Sequence, residues 1–222
     1  MSNLKEFQTN IGYEFKNIKY LKTALTHSSY ANENGLDSNE RMEFLGDAVL
    51  ELCMSKYLYN SINLDEGVLT KTRAKAVCES ALNIYAKNIH IQNFLLLGKG
   101  EESTGGRLRP AIIADAVEAV LGAIFLDSNF DTAYNICQKI VIPYMDIVLK
   151  YKDYKSILQE KLASEKRSIR YEIVNSYGPP NNRTFEAIVY MDDIMMGSGS
   201  GKTKKEAEQM AAKKALDKEA RN

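Results

Sequence analysis

The sequence predicts a multi-domain chain, with an all-α domain over residues 1–150 followed by a small α+β domain over residues 151–222. Apolar residues recur at helical spacing from residue 4 to about residue 149. After Lys150 they alternate as they do in β-strands, and a segment rich in Lys and Ala with helical spacing ends the chain. This change of spacing predicts a domain boundary near residues 151–154.

Helices of the first domain are predicted from apolar residues three or four positions apart, as at residues 21–25, 45–52 and 77–85. Polar or glycine-rich stretches separate these helices. Breaks are expected at residues 32–39, 63–67 and 98–109, and the last stretch is long enough to form a mobile loop. Pro110 suits the first turn of the helix that follows.

The second domain is predicted to have the element order α-β-β-β-α. A short helix is expected at residues 157–162, strands at 170–175 and 184–191, and a third short apolar piece around 194–197. The turn GPPNN joins the first two strands. A turn rich in Gly, Ser and Lys leads to the last helix, which is expected to begin at Thr203 and to end near Ala220.

Composition narrows the class of protein. The 222 residues are 45% apolar and 26% charged with zero net charge, which is typical of a globular protein. No apolar leader or membrane-length apolar run is present, so we expect a cytoplasmic protein without a membrane partner. Cys53, Cys78 and Cys137 are far apart in apolar surroundings, which predicts reduced core residues rather than disulfides or a zinc site.

Acidic residues interrupt the apolar segment NERMEFLGDAVLEL at residues 39–52. Helical spacing places Glu40, Glu43 and Asp47 on one narrow stripe. The rest of this helix is apolar around most of its circumference, which predicts a helix with little surface in water. Glu51 lies one turn beyond Asp47 and is expected to have a surface role.

A second apolar helix, PAIIADAVEAVLGAIFL at residues 110–126, carries only two charges, Asp115 and Glu118. They are three positions apart and therefore share a face. The segment is too short and interrupted to cross a membrane. We expect a central core helix that directs two carboxylates toward a compensating group.

Carboxylates in apolar surroundings must be protonated, paired with bases, exposed in a cleft or bound to a cation. An exposed stripe or ion pairs would explain the first helix by itself, but the second helix favours a metal site. Oxygen ligands alone suit Mg²⁺, or Mn²⁺ in its place, better than zinc. Glu66, beside Gly67, fits either a helix cap or an outer active-site acid. His27, in LTHSSY, is expected to satisfy a core hydrogen bond rather than to catalyse a reaction.

The last helix begins with a cluster of lysines, Lys202, Lys204 and Lys205. A helix N-terminus with nearby lysines can hold phosphate, although a solvated basic helix start is the common alternative. The GPPNN turn, and Gln159 and Ser164 on the preceding helix, supply two further contact points. Double-stranded RNA is recognised in this way, through two minor grooves and the phosphates between them.

The chain resembles bacterial ribonuclease III over nearly its whole length. NERMEFLGDAVLEL is similar to the signature helix of that family, ADAVEAVLGAIFLD to its second catalytic helix, and SILQEKL with KTKKEAEQMAAKKAL to its double-stranded-RNA-binding domain. The resemblance implies that residues 1–150 form the catalytic and dimerisation domain. It implies a homodimeric, Mg²⁺-dependent endoribonuclease that cuts double-stranded RNA, leaves 5′-phosphate and 3′-hydroxyl ends, and matures ribosomal RNA precursors and other RNAs.

The resemblance also implies roles for single residues of the first domain. Asp47 and Glu118 would be the most critical acids, with Glu40 and Glu66 assisting, and Phe44 would enter a pocket of the partner at the dimer interface. The metal ligands implied are Glu43, Asp47, Asp115 and Glu118.

In the second domain the resemblance implies contacts from the first helix, from the turn and from the lysines to RNA. The turn of the family often carries His where this chain has Asn181. The residues implied are Gln159, Ser164, Pro179, Asn181, Lys202, Lys204 and Lys205.

Two other functions compete with this reading. A non-cleaving double-stranded-RNA-binding regulatory protein would not need all four acids. A metal-dependent phosphohydrolase for small molecules would not need the RNA-binding domain, so no small-molecule substrate is expected.

Overall fold

The structure, a computed structural model, describes residues 4–61, 63–150, 154–179 and 183–219. The chain divides into two compact units, Met1–Lys150 and Tyr151–Asn222. The described part of the first unit is helical, and the second consists of a helix, three strands and a helix. The predicted fold class is confirmed.

The segments of the first unit whose apolar residues have helical spacing are helices, as predicted. Short 3₁₀ turns lie at Ile91–Asn93, Gly106–Leu108 and Ile142–Tyr144. The α-helices are α1 (Leu4–Ile11), α2 (Ile18–Ala24), α3 (Ser28–Asn34), α4 (Glu40–Ser61), α5 (Glu66–Val77), α6 (Glu79–Ile89), α7 (Lys99–Ser103), α8 (Pro110–Asp127), α9 (Phe130–Val141) and α10 (Met145–Lys150).

Helix α8 is the centre of this unit. It packs against α2, α4, α6 and α9, and nearly all of its apolar side chains between Ile112 and Ile124 are buried. It begins at Pro110, as predicted. The prediction of a central core helix is confirmed.

Helix α4 differs from its prediction. One face, including Val49, Leu50 and Cys53, is buried. The opposite face is not, since Phe44 is 82% exposed and Tyr59 is 80% exposed. The expectation of little surface in water is therefore wrong, because the described part of the chain covers only one side of an apolar helix.

Residues 98–109, predicted as a mobile loop, are folded against the domain. They contain α7 and a 3₁₀ turn. The Arg107 guanidinium donates to the carbonyls of Gln92 (2.7 Å) and Leu95 (3.0 Å) and pairs with Glu102. Arg109 pairs with Glu101 at 2.5 Å. These contacts fix the segment that leads into α8.

The second unit is a three-stranded antiparallel sheet packed against two helices. Strand order is β1-β2-β3, Ile169 pairs with Met191, and Met191 with Ile194. Leu158 and Leu162 pack into its core with Val189. The elements are α11 (Tyr154–Ser164), β1 (Ile169–Tyr177), β2 (Thr184–Met191), β3 (Ile194–Gly201) and α12 (Lys204–Glu219).

The glycine-rich stretch after Met196, predicted as a turn, is part of β3. A Cβ atom on Gly197 or Gly199 would overlap the backbone of Ala211 in α12. Alternate glycines therefore give the strand a flat face on which the helix lies. This tertiary contact, which the local sequence does not reveal, extends the strand to Gly201.

Two further predictions concern cysteine and the membrane. Cys53 and Cys137 are buried free thiols, as predicted, but Cys78 is exposed, because it lies at the junction between α5 and α6 rather than on a packed helix face. Among the described residues, none of the helices has the length and apolar character that crossing a membrane requires.

Candidate active site and nucleic-acid interface

Two glycines allow α4 and α8 to cross at backbone contact. A Cβ atom on Gly46 would overlap the backbone carbonyl of Glu118, and one on Gly122 would overlap the carbonyl of Met42. Helix axes approach this closely only where side chains are absent at the crossing. The crossing lies beside the acidic residues of both helices.

Hydrogen bonds between buried backbone groups fix the start of α4 to the rest of the domain. Asn39 is 3% exposed, and its N–H donates to the carbonyl of Thr26 at 2.8 Å. The Asn39 carbonyl accepts from the N–H groups of Met42 and Glu43. The first turn of α4, which carries Glu40 and Glu43, is thereby tied to the loop between α2 and α3.

Across the crossing, the acids of the two helices act on one another. Burial, followed by the carboxylates of Asp47, Asp115 and Glu43, raises the pKa of Glu118 to about 8. Burial also raises the pKa of Glu43, with contributions from Asp115, Glu40 and Asp47. The strongest electrostatic neighbours of both groups are therefore other carboxylates.

Asp115 has a more mixed environment. Burial raises its pKa, His27 opposes that rise, and Glu79 at the start of α6 adds to it. Asp115 and Glu118 are half-buried, as is Glu43, whereas Asp47 is exposed at the edge of the cluster. The four predicted metal ligands thus lie within electrostatic range of one another on facing helices.

The acids predicted at the rim of the site, and Glu51 beyond it, are exposed to solvent. Glu40 is exposed, accepts a hydrogen bond from Ser38 at 2.9 Å, and acts on Glu43. Glu66 is exposed as the first residue of α5 and accepts from Thr70 at 3.0 Å. Glu51 is exposed, as predicted.

The donor set of the cluster fits a hard divalent cation. It offers carboxylate oxygens, and within the described residues none of the four acids forms an ion pair that would neutralise it. In that same part of the chain no three acidic, His or Cys side chains stand close enough to form a ready-made ion cage. The acids face one another but repel, so an ion would have to draw them together.

The predicted RNA-contacting residues of the second unit are distributed over its surface. Gln159 is exposed on α11, and Ser164 ends that helix with its Oγ donating to the Lys161 carbonyl at 2.6 Å. Pro179 is exposed after β1. Asn181, in the GPPNN turn, lies outside the described residues.

The start of α12 combines a capped helix with exposed lysines. Thr203 Oγ1 accepts from the N–H of Glu206 at 3.1 Å, and the Glu206 carboxylate accepts from the N–H of Lys202 at 2.7 Å. This reciprocal arrangement stabilises the first turn. Lys202, Lys204 and Lys205 are all exposed there.

Several residues that shape the site were not assigned to it from the sequence alone. Gly46 and Gly122 have a signal in hindsight, since each is a lone glycine in a helix close to an acid. The hydrogen bonds of Thr26, Ser29 and Asn39 have no local signal, because they join segments distant in sequence.

Each of the two units matches a known protein family. Residues 17–145 match the ribonuclease-III-like family, and residues 154–219 match the double-stranded RNA binding motif. The chain belongs to the ribonuclease III family. As a member of that family it is an endoribonuclease that acts on double-stranded RNA.

Relatives of this ribonuclease III family member cover the full chain. It is 46% identical to Ribonuclease 3 of Onion yellows phytoplasma over 223 residues, covering 100% of this chain and 93% of the relative. It is 44% identical to Ribonuclease 3 of Listeria monocytogenes, covering 98% of each. The solved nuclease domain of ribonuclease III from Campylobacter jejuni superposes on this chain with a TM-score of 0.61 at 37% sequence identity. The superposition covers 64% of this chain and 97% of that domain, which shows structural flexibility in a region involved in dimer formation.

Proposed function

We propose that this chain hydrolyses double-stranded RNA with Mg²⁺ held by Glu43, Asp47, Asp115 and Glu118, and that Mn²⁺ can replace Mg²⁺. The observation that carries the proposal is the close crossing of α4 and α8 at Gly46 and Gly122, which brings these four acids together on facing helices. Burial beside the other three acids raises the pKa of Glu118 to about 8, in agreement with this arrangement. A cation would relieve this repulsion and favour the ionised form of every member. Asp47 and Glu118 are the acids on which activity depends most.

The reaction is the attack of water on a backbone phosphorus atom. Mg²⁺ held by the four acids would supply Lewis acidity toward the phosphate and would lower the pKa of water. The P–O3′ bond breaks, the departing 3′-oxygen takes up a proton, and the oxygen of water stays on the 5′-phosphate. Glu40, exposed at the first turn of α4, assists from the rim, and Glu66 is a second assisting acid.

The active enzyme is proposed to be a homodimer formed through α4. Phe44, Ala48, Leu52 and Tyr59 recur along one side of this helix, and all are exposed. Phe44 is 82% exposed, and an apolar stripe of this kind marks an interaction surface. The nuclease domain of the Campylobacter jejuni relative has a region involved in dimer formation, which supports the same assembly here.

RNA binding is proposed to involve three parts of the second unit. Gln159 and Ser164 lie on α11, Pro179 and Asn181 belong to the turn after β1, and the lysines lie at the start of α12. The exposed lysines Lys202, Lys204 and Lys205 at the N-terminus of α12 suit backbone phosphates.

Ribosomal RNA precursors are the proposed substrates, together with other structured transcripts. We propose that the protein acts in the cytoplasm, where the free thiols of Cys53, Cys78 and Cys137 would stay reduced.

A long RNA duplex incubated with the protein, in Mg²⁺ or in chelator, tests the function. Cleavage is expected only with the metal. Asp47→Asn and Glu118→Gln are each expected to lower the cleavage rate by more than about 100-fold, because the loss of even an outer partner of a metal ligand costs about 10- to 100-fold. Retained RNA binding, measured by gel shift, would show that the second unit is intact in both variants.

Glu51→Gln is the matched control, since Glu51 is an exposed acid of the same helix one turn beyond Asp47. It is expected to cleave normally. Binding without cleavage by the unmodified protein in Mg²⁺ would instead favour the regulatory RNA-binding function. Near-normal cleavage by either Asp47→Asn or Glu118→Gln would refute the assignment of the critical acids.

A further inference from the structure

Thr184, the first residue of β2, lies at one end of the three-stranded sheet. On one side it pairs with Tyr177, the last residue of β1, which directly precedes the GPPNN turn in the sequence. On the other side the pairing of β2 with β3 ends at Gly201, so the antiparallel register places Thr184 opposite Lys202. Thr184 therefore lies between the strand that leads into the turn and the segment that carries the lysines.

The ammonium group of Lys202 is bound to the Thr184 side chain. Lys202 Nζ donates to Thr184 Oγ1 at 3.2 Å, where Thr184 is half-buried and Lys202 is exposed. An ammonium group has three N–H donors, so Lys202 can keep this bond while it donates to a phosphate oxygen. The bond to a neutral hydroxyl thus orients the positive charge without neutralising it.

The backbone of Lys202 is fixed as well. Its N–H donates to the Glu206 carboxylate at 2.7 Å. A Cβ atom on Gly201 would lie 2.6 Å from the backbone nitrogen of Ala207, so the first turn of α12 packs directly on the end of β3. Lys202 is therefore held both at its backbone and at its ammonium group, which removes much of the conformational freedom that a surface lysine has.

We propose that Thr184 is a positioning residue for RNA binding, and that its hydroxyl holds the Lys202 ammonium at the end of the sheet for contact with a phosphate of the RNA backbone. This inference rests on the proposed role of Lys202 in RNA binding. A lysine that is held in advance loses less side-chain entropy on binding than a free one, which favours the complex. A fixed position of the ammonium relative to the sheet also suits double-stranded RNA, which is recognised mostly by its shape.

A purely structural role of Thr184 predicts a different order of variants. Thr and Val are both β-branched and favour strands, whereas Ser is not β-branched. If Thr184 only stabilises the end of the sheet, Thr184→Val should be harmless and Thr184→Ser should be the harmful change. If the hydroxyl positions Lys202, Thr184→Val should weaken RNA binding, and Thr184→Ser should preserve it.

Binding of a long RNA duplex to the full chain tests the inference, measured by gel shift over a range of salt concentrations in chelator, which prevents cutting. Lys202→Met is expected to weaken binding and to lower the slope of log affinity against log salt concentration by about one, as for the loss of one phosphate contact. Thr184→Val is expected to weaken binding by about 2- to 10-fold, the range for loss of one hydrogen bond, with an unchanged melting temperature. In a chain that already carries Lys202→Met, Thr184→Val should have no further effect on binding.

Ser198 supplies a matched control. It pairs with Ile188 further along β2, and its side chain lies on the same side of the sheet as that of Thr184. Ser198→Ala is expected to bind RNA as the unmodified protein does. Normal binding by Thr184→Val, or weaker binding by Thr184→Ser than by Thr184→Val, would overturn the inference while the role of Lys202 stands. If Lys202→Met itself binds normally with an unchanged salt slope, the proposed role of Lys202 has failed, and the inference fails with it.

Discussion

Asp127, the last residue of α8, is a buried carboxylate that stabilises the fold rather than the reaction. It is 9% exposed and accepts hydrogen bonds from the Tyr13 hydroxyl at 2.7 Å and from the N–H groups of Lys16 and Asn17 at 2.8 and 2.9 Å. Burial acts to raise the pKa of Asp127, but these hydrogen bonds outweigh it and hold the pKa below its usual range. The carboxylate therefore anchors the segment before α2 to the central helix.

We expect Asp127→Asn to destabilise the protein by about 1–3 kcal/mol at pH 7, since an amide cannot accept all three hydrogen bonds as strongly. A lowered pKa in the folded state contributes stability that is present above the ordinary pKa and is lost as the pH falls through the folded value. The difference in free energy of unfolding between Asp127→Asn and the unmodified protein should therefore shrink as the pH falls below about 4. Urea unfolding across pH measures it, and a difference that stays constant down to pH 2 would contradict the account.

In the metal-free protein the ionised Glu118 carboxylate should destabilise the fold, whereas the ionised Asp127 carboxylate stabilises it. Its pKa of about 8, raised from 4.5, means that its contribution to stability is greatest below the lower value and is lost as the pH rises to the higher one. We expect Glu118→Gln to stabilise the metal-free protein by about 1–2 kcal/mol at pH 9, after allowance for solvent screening of a half-buried group, and to have little effect at pH 4.5.

Thermal unfolding in chelator tests this expectation for Glu118. Adding Mg²⁺ at pH 8 should raise the melting temperature of the unmodified protein and leave that of Glu118→Gln nearly unchanged. A variant that is less stable than the unmodified protein at pH 9 would show that the acid is compensated by groups of the chain itself.

At the scale of elements, the crossing of α4 and α8 determines where the acids meet. Gly46 lies between Glu43 and Asp47, and a Cβ atom at this position would overlap the backbone of α8. We expect Gly46→Ala to force the helices apart, to lower stability by about 2–4 kcal/mol, and to reduce cleavage more than RNA binding. Circular dichroism melting together with the cleavage assay would show both effects.

Gly67 is the matched control for Gly46. It lies in the first turn of α5, and a Cβ atom there would meet nothing within 4 Å. Gly67→Ala is expected to be neutral or slightly stabilising, because alanine has the higher helix propensity. Equal effects of the two substitutions would mean that helix propensity, not the crossing, explains the loss.

Local periodicity predicted the helices and strands, and it predicted that the acids of each helix share one face. Asp115 and Glu118 had to share a face of an apolar helix, whatever the rest of the fold. The contact of Gly46 with α8 depends on two segments far apart in the chain, so spacing did not reveal it. Likewise β3 extends to Gly201 because α12 packs on its glycines, a tertiary effect that overrides low strand propensity.

At the scale of the whole molecule, the exposed stripe of α4 predicts assembly. Phe44→Ala removes a side chain that is 82% exposed, so the fold of one chain should be unaffected. If Phe44 is an anchor of the dimer, its loss costs about 2 kcal/mol or more, which raises the dimer dissociation constant by about 30-fold or more. Sedimentation equilibrium over a range of protein concentrations measures this constant.

Ile194 supplies the comparison for Phe44. It is also an exposed apolar residue, at 61%, but lies in the hairpin between β2 and β3 of the second unit. Ile194→Ala is expected to leave the dissociation constant unchanged. A Phe44→Ala protein that associates as strongly as the unmodified one would exclude α4 as the subunit contact.

Phe44 directly follows Glu43 on α4 and lies three residues before Asp47. If one helix carries both the subunit contact and the acids, a chain that separates from its partner loses the support on which its own chemistry depends. Below the dissociation constant the amount of paired enzyme varies with the square of total enzyme, so RNA turnover would respond more than proportionally to how much of the protein a cell makes.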